Sequence, residues 1–183
     1  MTVIGVIGKP RSGKTLLITS IGYQDYLNGR KIYSNYWLGY PHEKYDINDL
    51  LSISTMEMEI SPKTVLMQEA SKWFDSRRSG RIENVLLSSF TGQSGKREID
   101  IYYDDQFVTR IDRGLRDITD YTFLVTCIYD TRYFPKIPAM FEYEMFGGYF
   151  MYATGKKLRI MAKYMEPFYN MYRTREPTKP LEV

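Results

Sequence analysis

Apolar residues run almost unbroken from Thr2 to Ile7 and stop at a glycine-rich segment. A short continuous apolar run closed by a turn is the pattern of a strand buried on both faces. From Lys14 to Asn28 the period changes. Leu17, Ile18, Ile21, Tyr26 and Leu27 fall on one side of a helix, and Asn28-Gly29 is a helix stop. Lys31 to Trp37 reads as a second strand. Residues 39–63 are loop-rich, with a short helix expected over Ile47 to Leu51. After Pro62, Thr64-Val65-Leu66-Met67 is a third buried strand. Residues 70–81 are polar, rich in Arg and Ser, and read as a mobile loop; Ile82 to about Gln93 reads as a helix. Ile99 to Tyr103 is a fourth strand, Phe107 to Arg116 a helix, and Tyr121 to Ile128 a fifth strand.

Strands alternating with helices predict an α/β fold with a mostly parallel, helix-covered sheet. The pattern then changes. Phe141 to Phe146, Tyr149 to Ala153 and Leu158 to Tyr164 read as consecutive strands, with turns at Gly147-Gly148 and Thr154-Gly155. They predict a C-terminal antiparallel β extension. Thr174 to Val183, with two prolines and several charges, reads as a flexible tail. The expected organisation is one domain over 1–173, with a core of about 1–130 and the extension over about 131–173, and no internal repeat.

The 183 residues are 43% hydrophobic and 26% charged with a net charge of +3, which excludes disorder over most of the chain. The mildly basic balance is compatible with a nucleic-acid partner without requiring one. A single cysteine, Cys127, excludes an internal disulfide, and a single histidine, His42, excludes a histidine-rich metal site. Both are expected to be structural. The lone thiol fits a reducing compartment, and the first residues have no leader pattern. No stretch has the roughly 18 apolar residues of a bilayer span. The expected location is therefore the cytoplasm, the host's if the source is viral. The 17 tyrosines are expected in the core and on strand surfaces.

Gly8-Lys9-Pro10-Arg11-Ser12-Gly13-Lys14-Thr15 matches G-x-x-x-x-G-K-[ST] in full. It follows a buried strand and opens an amphipathic helix, the context that the motif requires. Gly8 and Gly13 permit torsions that a side chain would forbid, so successive N–H groups can wrap phosphates. The helix opening at Lys14, Thr15 and Leu16 adds the positive end of its dipole. Lys14 would reach the β- and γ-phosphates, and the Thr15 hydroxyl would ligate Mg²⁺. Arg11 is either a solvated loop residue or a second γ-phosphate contact. ATP with Mg²⁺ is the implied ligand pair.

Val65-Leu66-Met67-Gln68-Glu69 is an apolar strand ending in a carboxylate. Ligands bind at the carboxyl ends of parallel strands, so Glu69 would face the loop and polarise a water. An Asp is expected at position 68 to hold the Mg²⁺ shell. Gln68 can bond a metal-bound water but brings no charge, so Asp104 or Asp105 is a candidate helper. At the end of the fourth strand Gln106 is the candidate γ-phosphate sensor, with a capping amide as the plain alternative. Arg110, Arg113 and Arg116 recur every three residues, within about a 120° arc on a helix. Arg116, then Arg113, are candidate arginine fingers across a subunit interface; the alternative is a solvated face paired with Asp112 and Asp117. Arg77, Arg78 and Arg81 could contact nucleic-acid phosphates. Lys96 and Arg97 are expected on the edge away from the loop.

With these segments placed, the chain resembles the P-loop NTPases of viral and phage assembly, including the zonular-occludens-toxin-like proteins and the FtsK/HerA-type and terminase-like packaging ATPases. The resemblance rests on Gly8 to Thr15, Lys31-Ile32-Tyr33-Ser34-Asn35, Leu66-Met67-Gln68-Glu69-Ala70, Ser88-Ser89-Phe90 with Gly95-Lys96-Arg97, Ile99 to Tyr103, Gln106 and Ile111 to Arg116. It implies a RecA-like core with the sensor strand between the P-loop strand and the acidic strand. It further implies Mg²⁺-dependent ATP hydrolysis, assembly of the chain with itself as a ring, and force on double-stranded DNA or on a capsid or virion protein. The absence of a membrane span favours packaging over toxin-like assembly, and the absence of a nuclease-like second domain disfavours a complete terminase. A small-molecule or nucleoside kinase and a nucleotide-switch adaptor with weak hydrolysis are the competing functional classes.

Overall fold

The structure is a computed structural model and describes residues 1–46, 49, 62–74, 98–132 and 136–173. The expected helices over Ile47–Leu51 and Ile82–Gln93, most of the 70–81 loop, Lys96, Arg97 and the tail lie outside the described residues. So do Arg77, Arg78 and Arg81.

Eight strands form one sheet among the described residues: β1 (Val3–Gly8), β2 (Lys31–Ser34), β3 (Glu43–Lys44), β4 (Lys63–Met67), β5 (Ile99–Asp105), β6 (Tyr121–Asp130), β7 (Ile137–Gly147) and β8 (Tyr152–Met161). Their order is β3-β2-β4-β5-β1-β6-β7-β8. The first six run parallel, and β7 and β8 return antiparallel. β5, which leads to Gln106, therefore lies between β1, which leads to the loop of residues 8–15, and β4, which leads to Glu69, the strand order that the resemblance implies.

Alternation along the strands divides the core into two layers. Val3, Ile7, Val65, Met67, Ile99, Ile101 and Tyr103 face one side. There they meet Ala70 of a 3-10 turn (Ala70–Lys72) and Leu115 of a short helix α2 (Arg113–Asp117). Val6, Ile32, Leu66, Tyr102, Val125, Phe141 and Tyr143 face the other. This side is covered by α1 (Lys14–Leu27) and by α3 (Ala162–Tyr169). α1 buries Leu16, Leu17, Ile18, Thr19 and Gly22, whereas Leu27, expected on the apolar face, lies exposed at the helix end. The chain leaves α1 through Asn28 and Gly29, the latter at φ +81°, as its sequence predicts.

Several boundaries differ from expectation: β6 runs on to Asp130, β7 starts at Ile137, and Tyr149 to Met151, expected in a strand, form the turn before β8. β2 stops at Ser34 instead of Trp37, because the Ser34 hydroxyl accepts from Tyr36 N and donates to Tyr36 O, folding the chain into a turn. The helix expected over 107–116 is reduced to Arg113–Asp117. Asp112 caps it by accepting from Gly114 N at 2.7 Å, so Arg110 falls outside the helix. Thr154-Gly155 is not a turn. Gly155 sits inside β8 at φ +71°, and β8 runs unbroken to Met161. The segment after Met161 is helical, not a strand, with Pro167 inside it. Among the described residues, no helix is long and apolar enough to cross a membrane.

Candidate functional site

The carboxyl ends of β1, β4 and β5 meet at a cleft of about 360 Å³ under the loop joining β1 to α1. Two glycines shape that loop. A Cβ on Gly8 would stand 2.6 Å from the Val125 carbonyl and 2.8 Å from Ser12 Oγ. Gly13 has φ +96°, and a Cβ there would meet the Phe141 ring at 2.7 Å. Gly13 is also the N-cap of α1 and supplies no side-chain cap, so the first N–H groups of the helix have no side-chain acceptor there. Ser12 Oγ is buried without a partner inside the loop. An anion cradle with open donors and an orphaned hydroxyl fits a phosphate chain.

Lys14 is buried and donates to the Lys9 carbonyl at 2.9 Å, within its own loop. Desolvation lowers its pKa, opposed by the charges of Asp104, Asp105 and Glu69. Lys9, Pro10 and Arg11 are exposed on the loop rim. Pro10 and Arg11 line the cleft, as do Gly13, Thr15 and the buried Leu16. Arg11 is held at φ +62°, and its carbonyl accepts from the Tyr129 hydroxyl at 3.4 Å.

Of the two helper carboxylates, Asp104 takes the position beside the loop. β5 pairs with β1 so that Asp104 stands beside Val6. Its Oδ2 accepts from the Thr15 hydroxyl at 2.6 Å, and its Oδ1 accepts from Glu69 N at 2.9 Å. It is 1% exposed, and burial pushes its pKa up to about 6 despite these donors and Lys14. Asp105 has another task. It accepts from the Gln106, Phe107 and Ser71 N–H groups, tying the end of β5 to the turn after β4.

Gln68 lines the cleft, and its peptide is clamped by Asn35, which accepts from Gln68 N at 2.8 Å and donates to Gln68 O at 3.0 Å. Glu69 lines the same cleft at φ +53°, a left-handed conformation rare for a side-chain-bearing residue. Its carboxylate pairs with Lys72. Gln106 also lines the cleft. Lys14, Thr15, Gln68, Glu69 and Gln106 thus line one cleft.

Arg113 and Arg116 are not in this cleft. Arg113 is exposed and pairs with Asp117 at 3.4 Å. Arg116 lies against the Tyr149 ring at 5.9 Å, with Nε buried and unpartnered. Both line a separate depression with Asp117, Tyr149 and Met151. Cys127 is partly buried against the core, and His42 bonds the Tyr40 carbonyl.

Thr15, Asp104 and Gln68 could hold Mg²⁺ alongside phosphate oxygens and water, an all-oxygen set that suits this ion. No cluster of three or more His, Cys, Asp or Glu that could hold a metal by itself occurs among the described residues. Four cleft residues escaped the sequence reading: Pro138, Phe141, Tyr169 and Tyr172, all from the C-terminal extension. The only sequence signal for them is the aromatic density of that region.

Neither a family model nor a curated protein sequence matches the chain. Solved structures do. The N-terminal domain of zonular occludens toxin from Neisseria meningitidis superposes with a TM-score of 0.61 at 17% identity, covering 94% of this chain and 98% of that one. The DNA-packaging ATPase of Sulfolobus turreted icosahedral virus gives 0.60 at 12% identity, over 86% and 96%. The fold is that of a P-loop NTPase. A genome-packaging NTPase from Sulfolobus turreted icosahedral virus 2 in complex with ATP-γS gives 0.54 at 11% identity, over 78% and 91%. These structural neighbours are of the toxin-like and viral packaging kinds that the sequence motifs resemble.

Proposed function

We propose that this chain is a Mg²⁺-dependent ATPase whose turnover drives viral DNA packaging or translocation as a homo-oligomeric ring. The observation that carries the proposal is Asp104, buried below the P-loop and joined both to the Thr15 hydroxyl and to the Glu69 peptide. It provides the carboxylate that Gln68 does not, one strand away from the usual position. Nucleotide complexes of similarly folded packaging NTPases support nucleotide binding.

In this reading the backbone N–H groups of Gly13, Lys14 and Thr15, together with the Lys14 ammonium, hold the β- and γ-phosphates. Thr15, Asp104 and Gln68 would hold Mg²⁺, which would neutralise phosphate charge. The Glu69 carboxylate leaves Lys72 and accepts a proton from the water that attacks the γ-phosphorus, while the bond from that phosphorus to the β,γ-bridging oxygen breaks and ADP departs. Gln106 contacts the γ-phosphate. In the ring, Arg116, or else Arg113, would serve the cleft of a neighbouring subunit; both line a depression apart from their own cleft. Double-stranded DNA is the proposed track. A second reading, virion assembly in the manner of zonular-occludens-toxin-like proteins with a capsid or virion protein as partner, draws on the 94% coverage of the toxin domain match.

The test is ATPase turnover with Mg²⁺, with and without double-stranded DNA, alongside particle size. Turnover that rises with DNA in a large ring and is abolished in Lys14→Ala is expected. Undiminished turnover in Lys14→Ala overturns the site. Activity in small particles that ignore DNA overturns the packaging motor and leaves the second reading.

A further inference from the structure

The P-loop and its carboxylates account for the phosphates of a nucleotide and leave its base unassigned. The sheet order shows where a base must lie. Glu69, Gln68, Asp104 and Gln106 stand at the ends of β4 and β5, on one side of β1. A phosphate chain crossing the start of α1 with its γ end on that side puts its nucleoside on the opposite side, over β6 and β7. The cleft continues there, lined by Pro138 and Phe141 of β7 and by Tyr169 at the end of α3.

We propose that the C-terminal extension builds the nucleobase site of this chain, with Tyr169 as the stacking ring, Pro138 as the opposing apolar wall and Phe141 as the floor. This rests on the nucleotide reading of the P-loop. Phe141 is 3% exposed and packs against Gly13, so the floor is continuous with the phosphate cradle. Tyr169 is 38% exposed, leaving ring surface open to a ligand, and its hydroxyl donates to the Ala162 carbonyl at 3.3 Å. The ring is set in place before any ligand arrives. Met165 of α3 is buried in the core, and Phe168 meets the Tyr23 ring of α1 at 6.0 Å. Beyond α3, Met171 O accepts from Gly39 N at 2.9 Å, and Tyr172 bridges to Leu38. A base gains by stacking on an aromatic face whatever its sequence identity, and a preset ring loses little freedom on binding.

Titration calorimetry with Mg²⁺ compares ATP with inorganic tripolyphosphate, which has the phosphates and no base. The wild-type protein is expected to bind ATP more tightly. Tyr169→Ala is expected to weaken ATP on the order of tenfold while leaving tripolyphosphate unchanged. Tyr169→Phe, which keeps the ring and loses the Ala162 bond, is expected to stay within about twofold of wild type. Unchanged ATP affinity in Tyr169→Ala overturns the base site and leaves the P-loop reading intact. Parallel loss of ATP and tripolyphosphate, or equal loss in the Phe variant, also overturns stacking. Failure of the wild-type protein to bind either compound overturns the P-loop reading along with the base site.

Discussion

Asp104→Asn separates what a buried carboxylate does for the site from what it does to the fold. The rise of its pKa from 3.8 to about 6 is set by desolvation, which outweighs Thr15, the Glu69 peptide and Lys14. The folded protein therefore holds this proton more tightly than the unfolded chain. Stability must fall as pH rises between about 4 and 6, and at about 1.4 kcal/mol per pH unit the loss approaches about 3 kcal/mol at neutrality. An asparagine has almost the same shape and no charge. Its oxygen can accept from Glu69 N, and its amide can donate to the Thr15 oxygen, so both contacts survive in weaker, neutral form. The expected result at pH 7 is a metal-free protein more stable by about 1–2 kcal/mol, with a flattened pH 4–6 dependence in urea unfolding. Mg²⁺-dependent ATP affinity, measured by calorimetry, should fall at least about tenfold, since the carboxylate beside the metal is gone. A variant that is less stable at pH 7, or that keeps the wild-type slope between pH 4 and 6, refutes the burial argument. Unaltered Mg²⁺ dependence refutes the assignment to the metal.

Glu69→Gln should cut turnover by about 10²–10⁴ while ATP affinity changes little, measured by steady-state ATPase and calorimetry; retained turnover removes Glu69 as the base. Gly22→Ala should destabilise by about 1–3 kcal/mol in urea unfolding, although alanine favours helices, because its Cβ would stand 2.5 Å from Leu66 Cδ1 and 2.7 Å from the Tyr40 hydroxyl. Arg30→Met should cost about 2 kcal/mol. It removes donors to Thr64 Oγ1, the Lys63 carbonyl and the Glu98 carbonyl, and the 2.9 Å pair with Asp100 that fastens the amino-terminal ends of β4 and β5. An unchanged unfolding midpoint would show that solvent replaces these bonds.

The half of the site that comes from one contiguous stretch could be read directly. Gly8 to Thr15 announces its own backbone geometry, because two glycines, a lysine and a hydroxyl serve a single loop between a strand and a helix. Glu69 and Gln106 were legible as strand ends in an alternating α/β pattern. The Thr15–Asp104 bond was not, because it spans 89 positions and depends on the lateral pairing of β1 with β5. Arg110, Arg113 and Arg116 suggest one long helix by their spacing, yet Asp112, read from the sequence only as a pairing partner, caps a shorter one. The strand expected over Leu158 to Tyr164 ends at Met161, because Ala162 and Met165 pack on the core as one face of a helix, a tertiary preference that local propensity does not carry.

β8 closes the sheet on one side among the described residues, and most of its residues are exposed. Left flat and apolar, such a border would recruit a strand from another molecule. Here Gly155 turns left-handed within it, and the pairing slips between Glu144 and Phe146. Lys157 and Arg159 reach across to Glu144 and Glu142. A twisted, charge-bearing margin of this kind disfavours annealing of one sheet edge onto another, which makes edge-to-edge pairing an unfavourable route by which copies of this chain could associate.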